Sequence, residues 1–421
     1  PHQRLLEALS RVQDPELGIH IIHLGLLYEA DWDRDEAGTE RLHIVLGTTS
    51  PACPMAGRIR DAAECELRAE FPELQRVTVQ VDRTLRWTPQ RISEAGLAEL
   101  RELSPSGPRE AVHNHLARPA WRRLPVLVIA MVTLVLGLSG GLARIGVSLP
   151  LPVDGLVVRH GPLMVLGFLG TLIAAERAVA LDEGWAWLAP GFLALGAIGL
   201  WLDQSWIAFA GMQLGSLLLT AIATRIATMR PNHSMWTMAI GALAFTVSVM
   251  LYGLGAPIHS LVPWWTLFVV LTIAGERLEI STILQLRPGS LLCFRGSVVL
   301  LIAGTLTGLS DPDLGSHELG AGLLALAGWL FFQDISKQSL RRPGLSRFSA
   351  IALGTGYIWL AVAGGLWLRS GELRTGPVYD AALHSLFIGF IFSMIFAHAP
   401  LVFPAVLKVE LPFHRWLYLP L

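Results

Sequence analysis

Two histidines have positions in the sequence that suit metal binding. His160 and His384 each begin an apolar segment, and the two segments are alike, reading HGPLMVLGF and HSLFIGF. Two imidazoles at one level of a helix bundle can ligate a haem iron axially or contribute to a copper site. Histidines at helix starts also form ordinary hydrogen bonds in the interfacial layer of a membrane, so both interpretations stay open. His259 and His317 are predicted to lie in loops at the same level.

Cys53 is the residue of the N-terminal region best placed for thiol chemistry. It follows a predicted strand and a Ser-Pro turn, and Pro54 suits the first turn of the next helix. A thiol at a helix N-terminus is favoured as thiolate, which binds iron, zinc or the edge of a cluster. Asp14 and Glu16 are expected to cap or complete this metal site. The alternative is a small buried cysteine in a turn.

One cysteine cannot hold an iron–sulfur cluster. We therefore expect iron or a cluster to bind transiently at Cys53. A site shared across a homodimer of the soluble domain would supply the missing ligands, and so would transfer to a client or carrier protein.

Ionisable residues recur later in the apolar segments. Glu176 follows IAA, Glu276 follows IAG and His398 follows IFA, with four predicted spans from each to the next. The three helices therefore point the same way and indicate three related four-helix units. An inner polar site or a proton path at Glu176, Glu276 and His398 is one interpretation. The other is that each glutamate pairs with the adjacent arginine, or that the arginines reach the interface.

The segments that carry these residues are long enough to cross a membrane, which takes roughly 20 apolar residues. The chain has 52% hydrophobic and only 15% charged residues, and the charge is concentrated before Leu124. An eleventh span begins near 413 and is truncated, so we expect a fragment of a twelve-span protein. The ten complete spans are predicted near 124–142, 161–181, 185–202, 205–224, 234–256, 261–283, 291–309, 318–336, 347–368 and 383–406.

The distribution of basic residues sets the orientation. Arg122 and Arg123 precede the first span, and most other loop arginines and lysines fall on the same side. By the positive-inside rule, the N-terminal domain lies in the cytoplasm of a bacterial-type inner membrane. The three cysteines have no paired spacing, which fits a reducing compartment. The sequence has no stripe of basic residues with interleaved aromatic residues, so nucleic acid is not expected as a partner. Membrane lipid is the expected partner of the apolar spans.

The predicted fold is a small α+β domain followed by an all-α polytopic transmembrane bundle. Residues 1–103 form the domain, with a three-stranded sheet from strands at 21–32, 41–48 and 76–82 and helices at 2–12 and 54–70. Residues 104–123 form a linker, and residues 124–421 form the transmembrane domain.

Four motifs in the N-terminal region occur in a characteristic order: DPELGI from Asp14, LGLLY from Leu24, TTSPACPM from Thr48 and WTP from Trp87. Residues 2–103 thereby resemble the SufT/PaaD-like metal–sulfur cluster assembly domain. The resemblance implies iron–sulfur chemistry at Cys53 and iron–sulfur client proteins as partners. His23 stands where that family usually has aspartate.

Residues 382–406 resemble the NnrS-like family of membrane proteins, which are associated with haem, copper and nitric oxide metabolism. The shared pattern is a histidine, a few apolar residues, Gly-Phe and a following methionine. This resemblance implies that His160 and His384 are haem or metal ligands. The sequence around His398 does not match that family.

Three functions remain open. We favour a haem- or copper-binding bundle with a cytoplasmic domain that assembles or senses metal–sulfur centres, in nitric oxide or redox stress. The alternatives are a secondary transporter with a regulatory metal–sulfur domain and a membrane-anchored assembly factor. The sequence carries no nucleophile–base constellation, phosphate-binding loop or nucleotide fingerprint, so enzymatic turnover is not assigned.

Overall fold

The structure is a computed structural model, and it describes residues 2–14, 17–34, 40–101, 123–149, 155–283, 286–333 and 344–399, with residues 414 and 416. Within these ranges an α+β domain precedes a helical bundle, as the sequence predicts. Glu16, nearly all of the predicted linker and most of the eleventh predicted span lie outside the described residues.

The N-terminal domain has one mixed sheet. Strand β2 pairs antiparallel with β1 and parallel with β3, in the order β1-β2-β3. The first strand begins at Leu27 rather than at 21, because residues 21–26 form turns that end at Gly25, where φ is +66°. The elements are α1 (His2–Leu9), β1 (Leu27–Arg34), β2 (Glu40–Leu46), α2 (Ala56–Glu70), β3 (Arg76–Val81) and α3 (Glu94–Arg101).

The core of this domain lies between α2 and the sheet. Ile59, Ala63 and Leu67 follow one another at intervals of four on α2, so they form a single apolar face, and all three are buried. They pack with the buried side chains of Ile44 and Val79 from the sheet. The predicted helix at 54–70 starts two residues late, since residues 51–55 form turns.

Ten helices follow in the described residues, and nine of them are long and apolar enough to cross a membrane. The helix that is not among the nine corresponds to the predicted span at 318–336. The helices are α4 (Leu124–Arg144), α5 (Leu156–Leu181), α6 (Gly184–Trp201), α7 (Ser205–Met229), α8 (His233–Gly253), α9 (Ile258–Ile283), α10 (Ser290–Thr307), α11 (Pro312–Gln333), α12 (Leu345–Ser370) and α13 (Pro377–Ala399).

Small residues let these helices approach closely. A Cβ built on Gly211 of α7 would lie 2.6 Å from the backbone nitrogen of Gly196 on α6, so neither helix has space for a larger residue there. Such close backbone contact stabilises helix pairs in lipid, where apolar side chains gain little from leaving their surroundings.

Candidate functional site

Helices α5, α9 and α13 are the three that carry the repeated ionisable residues, and they line two cavities in succession. The larger cavity has a volume of about 540 Å³ and the smaller about 80 Å³. Leu169 lines both, so one side chain forms part of the wall between them. We call the end of the bundle that contacts the N-terminal domain the proximal end. The smaller cavity is the proximal cavity, and the larger one is the distal cavity.

Each of the three helices contributes one histidine to the distal cavity: His160 from α5, His259 from α9 and His384 from α13. The remaining lining is mostly apolar and aromatic, including Trp265 and Phe387. His259 lies in the first turn of α9 and not in a loop, because α9 begins at Ile258, earlier than the hydropathy predicts. The same extension of α5 and α13 puts His160 and His384 inside their helices.

His160 and His384 form a close pair. Their ring centroids are 6.4 Å apart and their planes are inclined by 20°. The Nδ1 atom of His160 lies 2.7 Å from the carbonyl oxygen of Gly137, and Nδ1 of His384 lies 2.7 Å from that of Asp380. Since a carbonyl only accepts, each Nδ1 carries the proton and each Nε2 keeps a lone pair. Metal-ligating histidines commonly have this arrangement.

The backbone after each histidine is unusual. Residues Leu163–Leu169, which begin three residues after His160, and Ser385–Phe392, which begin directly after His384, are π-helical. π-Helical segments are rare and occur frequently at functional sites. The two sequences that resemble one another therefore also share a backbone distortion, which hydropathy and spacing alone did not predict.

His160 packs closely against Gly141 of α4. A Cβ built on Gly141 would lie 2.8 Å from Cε1 of His160, so only glycine leaves room for the imidazole at this point of contact.

Glu176, Glu276 and His398, which the sequence predicts for an inner polar site, all line the proximal cavity. Arg177 of α5 contacts both glutamates, since its guanidinium lies 3.2 Å from Glu176 and forms an ion pair with Glu276 of α9. Arg277 lies 3.3 Å from Nε2 of His398, whose Nδ1 lies 2.7 Å from the carbonyl oxygen of Met394. Arginine can only donate, so His398 accepts and is neutral.

Cys53 lies in residues 48–55, which we call the Cys53 turn. The cysteine is buried, with 4% of its surface exposed, and its N–H donates to the carbonyl of Ser50 at 3.3 Å. It stands three residues before α2, which begins at Ala56. The thiol is therefore near the N-terminus of the helix, which begins at Ala56 and not at Pro54 as the sequence predicts.

The Cys53 turn is docked on the proximal end of the bundle. The guanidinium of Arg230, from the loop between α7 and α8, donates to the carbonyls of Thr48 and Thr49 at 2.9 and 3.2 Å. Ala52 packs into the apolar core of the bundle. Burial lowers the pKa of Arg230, and the nearby Glu279 opposes that shift.

Arg83 makes a second contact between the domain and the bundle. Its guanidinium donates to the carbonyl of Ala180 and lies 4.0 Å from the carboxylate of Asp182. Burial lowers the pKa of Arg83, while attraction to Asp182 and to Cys53 opposes the shift. A cation close to Cys53 favours the thiolate form of the thiol. Sequence reasoning did not find Arg83, Arg230 or Glu279, because their significance depends on how the two parts of the chain meet.

Asp14 is buried, and its carboxylate accepts a hydrogen bond from the N–H of Leu17 at 3.1 Å. Its position supports the turn toward Gly18, where φ is +66°. Across the described ranges, no group of three or more His, Cys, Asp and Glu side chains is arranged to hold a metal ion. A role for Asp14 and Glu16 in completing the Cys53 site therefore stays a prediction.

Comparison with known proteins identifies relatives for both parts of the chain. Residues 123–421 match the family described as a domain of unknown function (DUF8744), and residues 2–81 match the family described as iron–sulfur cluster assembly protein. The Fe-S protein maturation auxiliary factor YitW of Bacillus subtilis is 36% identical over 91 residues, which are 22% of this chain and 84% of that protein.

Two further relatives match the same region. The Fe-S protein maturation auxiliary factor SufT of Staphylococcus aureus is 38% identical over 82 residues, 20% of this chain and 88% of its own. A crystal structure of the domain of unknown function DUF59 from Bacillus anthracis is 34% identical and covers 24% of this chain and 90% of its own, with a TM-score of 0.21.

Proposed function

This chain belongs to the DUF8744 family through residues 123–421 and to the iron–sulfur cluster assembly proteins through its N-terminal domain, and we propose that it is a membrane-bound iron–sulfur maturation factor whose bundle holds a haem. The haem would be bound by His160 and His384, and iron or a cluster would be bound transiently by Cys53. The clients are iron–sulfur proteins, and the setting is nitric oxide or redox stress.

The proposed role in iron–sulfur maturation rests on Cys53. Cys53 lies near Arg83, and a nearby cation favours the thiolate that binds iron. The matched relatives are named as maturation auxiliary factors for iron–sulfur proteins. A single thiol suits transfer better than storage, so the cluster passes to a client or is shared with a second copy of the domain.

The proposal that the bundle binds haem rests on the His160–His384 pair. The two ring centroids lie 6.4 Å apart and the ring planes are inclined by 20°, so both imidazoles would be placed to hold one haem in the distal cavity. The Nδ1 contacts leave both Nε2 atoms as ligands, and the volume and apolar lining suit a flat hydrophobic cofactor. Haem bound there would supply reversible one-electron chemistry.

Copper fits this pair less well than haem. A copper ion held by protein alone takes additional side-chain ligands, and among the described residues the pair has no third His, Cys, Asp or Glu arranged with it to hold a metal. The porphyrin nitrogens of haem supply the remaining ligands themselves.

The proposed location is a bacterial inner membrane with the N-terminal domain in the cytoplasm. Arg123, Arg225 and Arg230 all lie at the proximal end, where the domain is docked. At the opposite end, Asp203 and Asp311 lie in loops and Asp313 lies in the first turn of α11. Positive charge next to spans favours the cytoplasmic side.

The test is an optical and metal analysis of the full-length protein in detergent. We expect a haem absorption band that His160→Ala and His384→Ala abolish. His317→Ala is the matched control, because His317 lies in the first turns of α11 against the carbonyl of Asp313 and does not line the distal cavity. A colourless and metal-free wild type, or a band unaffected by either substitution, would refute the haem proposal.

Transport is a second candidate, because Glu176, Glu276 and His398 line one cavity of the bundle. Carboxylates from related helices that converge are typical of transporter binding sites. Substrate flux in proteoliposomes that disappears with Glu176→Gln, in a protein without haem or copper, would favour it. If neither flux nor cofactor is found, and the histidine substitutions are silent, the bundle serves as an anchor for the assembly domain.

A further inference from the structure

A continuous set of polar contacts runs from the proximal cavity to the Cys53 turn. Glu279 lies three residues after Glu276 on α9, so the two side chains are neighbours on one face of the helix. Glu276 lines the proximal cavity and pairs with Arg177. The carboxylate of Glu279 accepts a hydrogen bond from the hydroxyl of Ser50, which belongs to the N-terminal domain.

Ser50 is bound firmly to the backbone around the cysteine. Its hydroxyl oxygen accepts from the N–H of Ala52 at 2.9 Å, and its carbonyl accepts from the N–H of Cys53 at 3.3 Å. A displacement of Ser50 therefore moves the whole turn. Glu279 thus links the charged residues of the bundle, through Ser50, to the backbone around Cys53.

Charges of both signs occur in this network. The carboxylates are those of Glu176, Glu276 and Glu279. Arg177 and Arg277 face them from α5 and α9, and Arg230 faces them from the loop before α8. His398 of α13 accepts from Arg277. From the N-terminal domain, Arg86 and Tyr28 also lie close enough to act on Arg230. With these positive charges present, a proton added to one of the carboxylates leaves excess positive charge in a buried place.

Water has room to deliver that proton. The proximal cavity of about 80 Å³ has space for about two to three water molecules at ~30 Å³ each. Glu176, Glu276 and His398 line it. The carboxylates are thus open to proton exchange although the surrounding helices are packed.

We propose that proton binding by this network regulates access to Cys53. With Glu279 ionised, its carboxylate holds Ser50 and attracts Arg230, and Arg230 in turn holds Thr48 and Thr49. A proton on Glu279 removes the charge that holds Ser50 and attracts Arg230, so both contacts weaken and the Cys53 turn loosens from the bundle. Cys53 packs with the core of the N-terminal domain, so access to its thiol increases as the released turn opens. This regulation rests on the proposed role of Cys53 as the iron-binding thiol.

The test is pulsed maleimide labelling of the full-length protein at a series of pH values. The labelled cysteines are quantified by mass spectrometry, and the ratio of Cys53 to Cys293 is followed. Cys293 is exposed near the start of α10 and serves as an internal reference for the general effect of pH on thiol reactivity. We expect the ratio to rise as the pH falls.

Glu279→Gln keeps the shape of the side chain and removes its charge. We expect it to raise the ratio at neutral pH by about tenfold, the change in an open–closed equilibrium that follows from loss of a hydrogen bond to a charged group, and to remove the pH dependence. Ser50→Ala breaks the same contact from the domain side and should act alike if Glu279→Gln fails to fold. Glu183→Gln changes an exposed carboxylate at the proximal end and should match the wild type.

A wild-type ratio that does not change with pH, or a Glu279→Gln ratio equal to that of the wild type, would overturn the proposal. Labelling reports access whatever Cys53 binds. If access responds to pH but Cys53→Ser binds iron as well as the wild type does, the regulation stands and the proposed function of the thiol fails.

Discussion

Arg177 forms an ion pair with Glu276, the residue that holds in the second repeat the place of Glu176 in the first. The pair therefore joins α5 to α9 near their proximal ends. Arg177 is 5% exposed and Glu276 is 18% exposed, so the contact is largely removed from solvent. Its carboxylate partner Glu276 also lines the proximal cavity.

Removal of one partner from this pair should destabilise the bundle. Arg177→Gln leaves two carboxylates in a buried site without their cation, at a cost of about 3–5 kcal/mol in the free energy of unfolding. The double variant Arg177→Gln/Glu276→Gln should recover part of this loss, since only Glu176 then lacks its partner. Thermal unfolding in detergent measures both. A double variant less stable than Arg177→Gln would contradict the assigned pairing.

The fit of His160 against α4 gives a second prediction. Gly141→Ala puts a methyl group 2.8 Å from Cε1 of His160, which overpacks the site by about 1–3 kcal/mol and displaces the imidazole. We expect loss of haem absorbance with the bundle still folded. Gly296→Ala in α10 is the control, because a Cβ there meets nothing within 4 Å. Equal absorbance in both variants would argue against His160 as a ligand.

Much of the fold follows from local sequence patterns. Alternation at Val77 and Val79 predicts β3, and the spacing of Ile59, Ala63 and Leu67 predicts the buried face of α2; the structure has both. The repeated IAAE, IAGE and IFAH segments predict three equivalent helices, and the structure brings Glu176, Glu276 and His398 to one cavity. Each of these patterns is set by neighbours a few residues apart.

The contacts between repeats and between domains could not be predicted in this way. Glu176 with Arg177 looks like a local pair, yet Arg177 also forms an ion pair with Glu276 of α9, which is 99 residues away in the sequence. Arg230 has no local motif that marks it, and its role depends on two carbonyls of a distant turn. The π-helical segments likewise depend on packing around His160 and His384.

The thiol of Cys53 gives a prediction about metal binding. Cys53→Ser should abolish binding of ferrous iron by the soluble domain and transfer of a cluster to an apo-client, because the hydroxyl does not supply a thiolate. The full-length protein is loaded with ferrous iron and analysed after gel filtration. Cys65→Ser, on the half-buried part of α2, should bind as the wild type does. If Cys53→Ser and Cys65→Ser retain equal amounts of iron, Cys53 is not a ligand of the iron site.

The contact between α1 and α2 predicts a dependence of domain stability on pH. A hydrogen bond from Arg4 to Glu70, 3.1 Å long, is the main cause that holds the pKa of Glu70 below its ordinary value. A carboxyl with a lowered pKa in the folded state stabilises the fold above its unfolded pKa, and this contribution is lost as the pH falls through the folded pKa. Stability of the domain should therefore decrease with acid over that window.

Arg4→Gln tests this relation. Unfolding of the domain within the full-length protein should occur at a lower temperature in Arg4→Gln than in the wild type at neutral pH. The two should converge in acid, where Glu70 is protonated in both. Arg68→Gln removes a partner of Glu64 on the surface of α2 and serves as the control. A difference between Arg4→Gln and the wild type that persists at low pH would assign the effect to packing of Arg4 over Phe71.

Arg230→Lys should loosen the docked domain while retaining the positive charge. The guanidinium donates from two nitrogens to Thr48 and Thr49, and a single ammonium cannot reproduce that fork. Loss of one hydrogen bond from a charged donor costs about 1.5–3 kcal/mol, so amide hydrogen exchange in residues 48–55 should accelerate. Arg225→Lys, at an exposed position 4.0 Å from Glu183, is the control. Unchanged exchange in Arg230→Lys would mean that Arg83 and the packing of Ala52 hold the domain without Arg230.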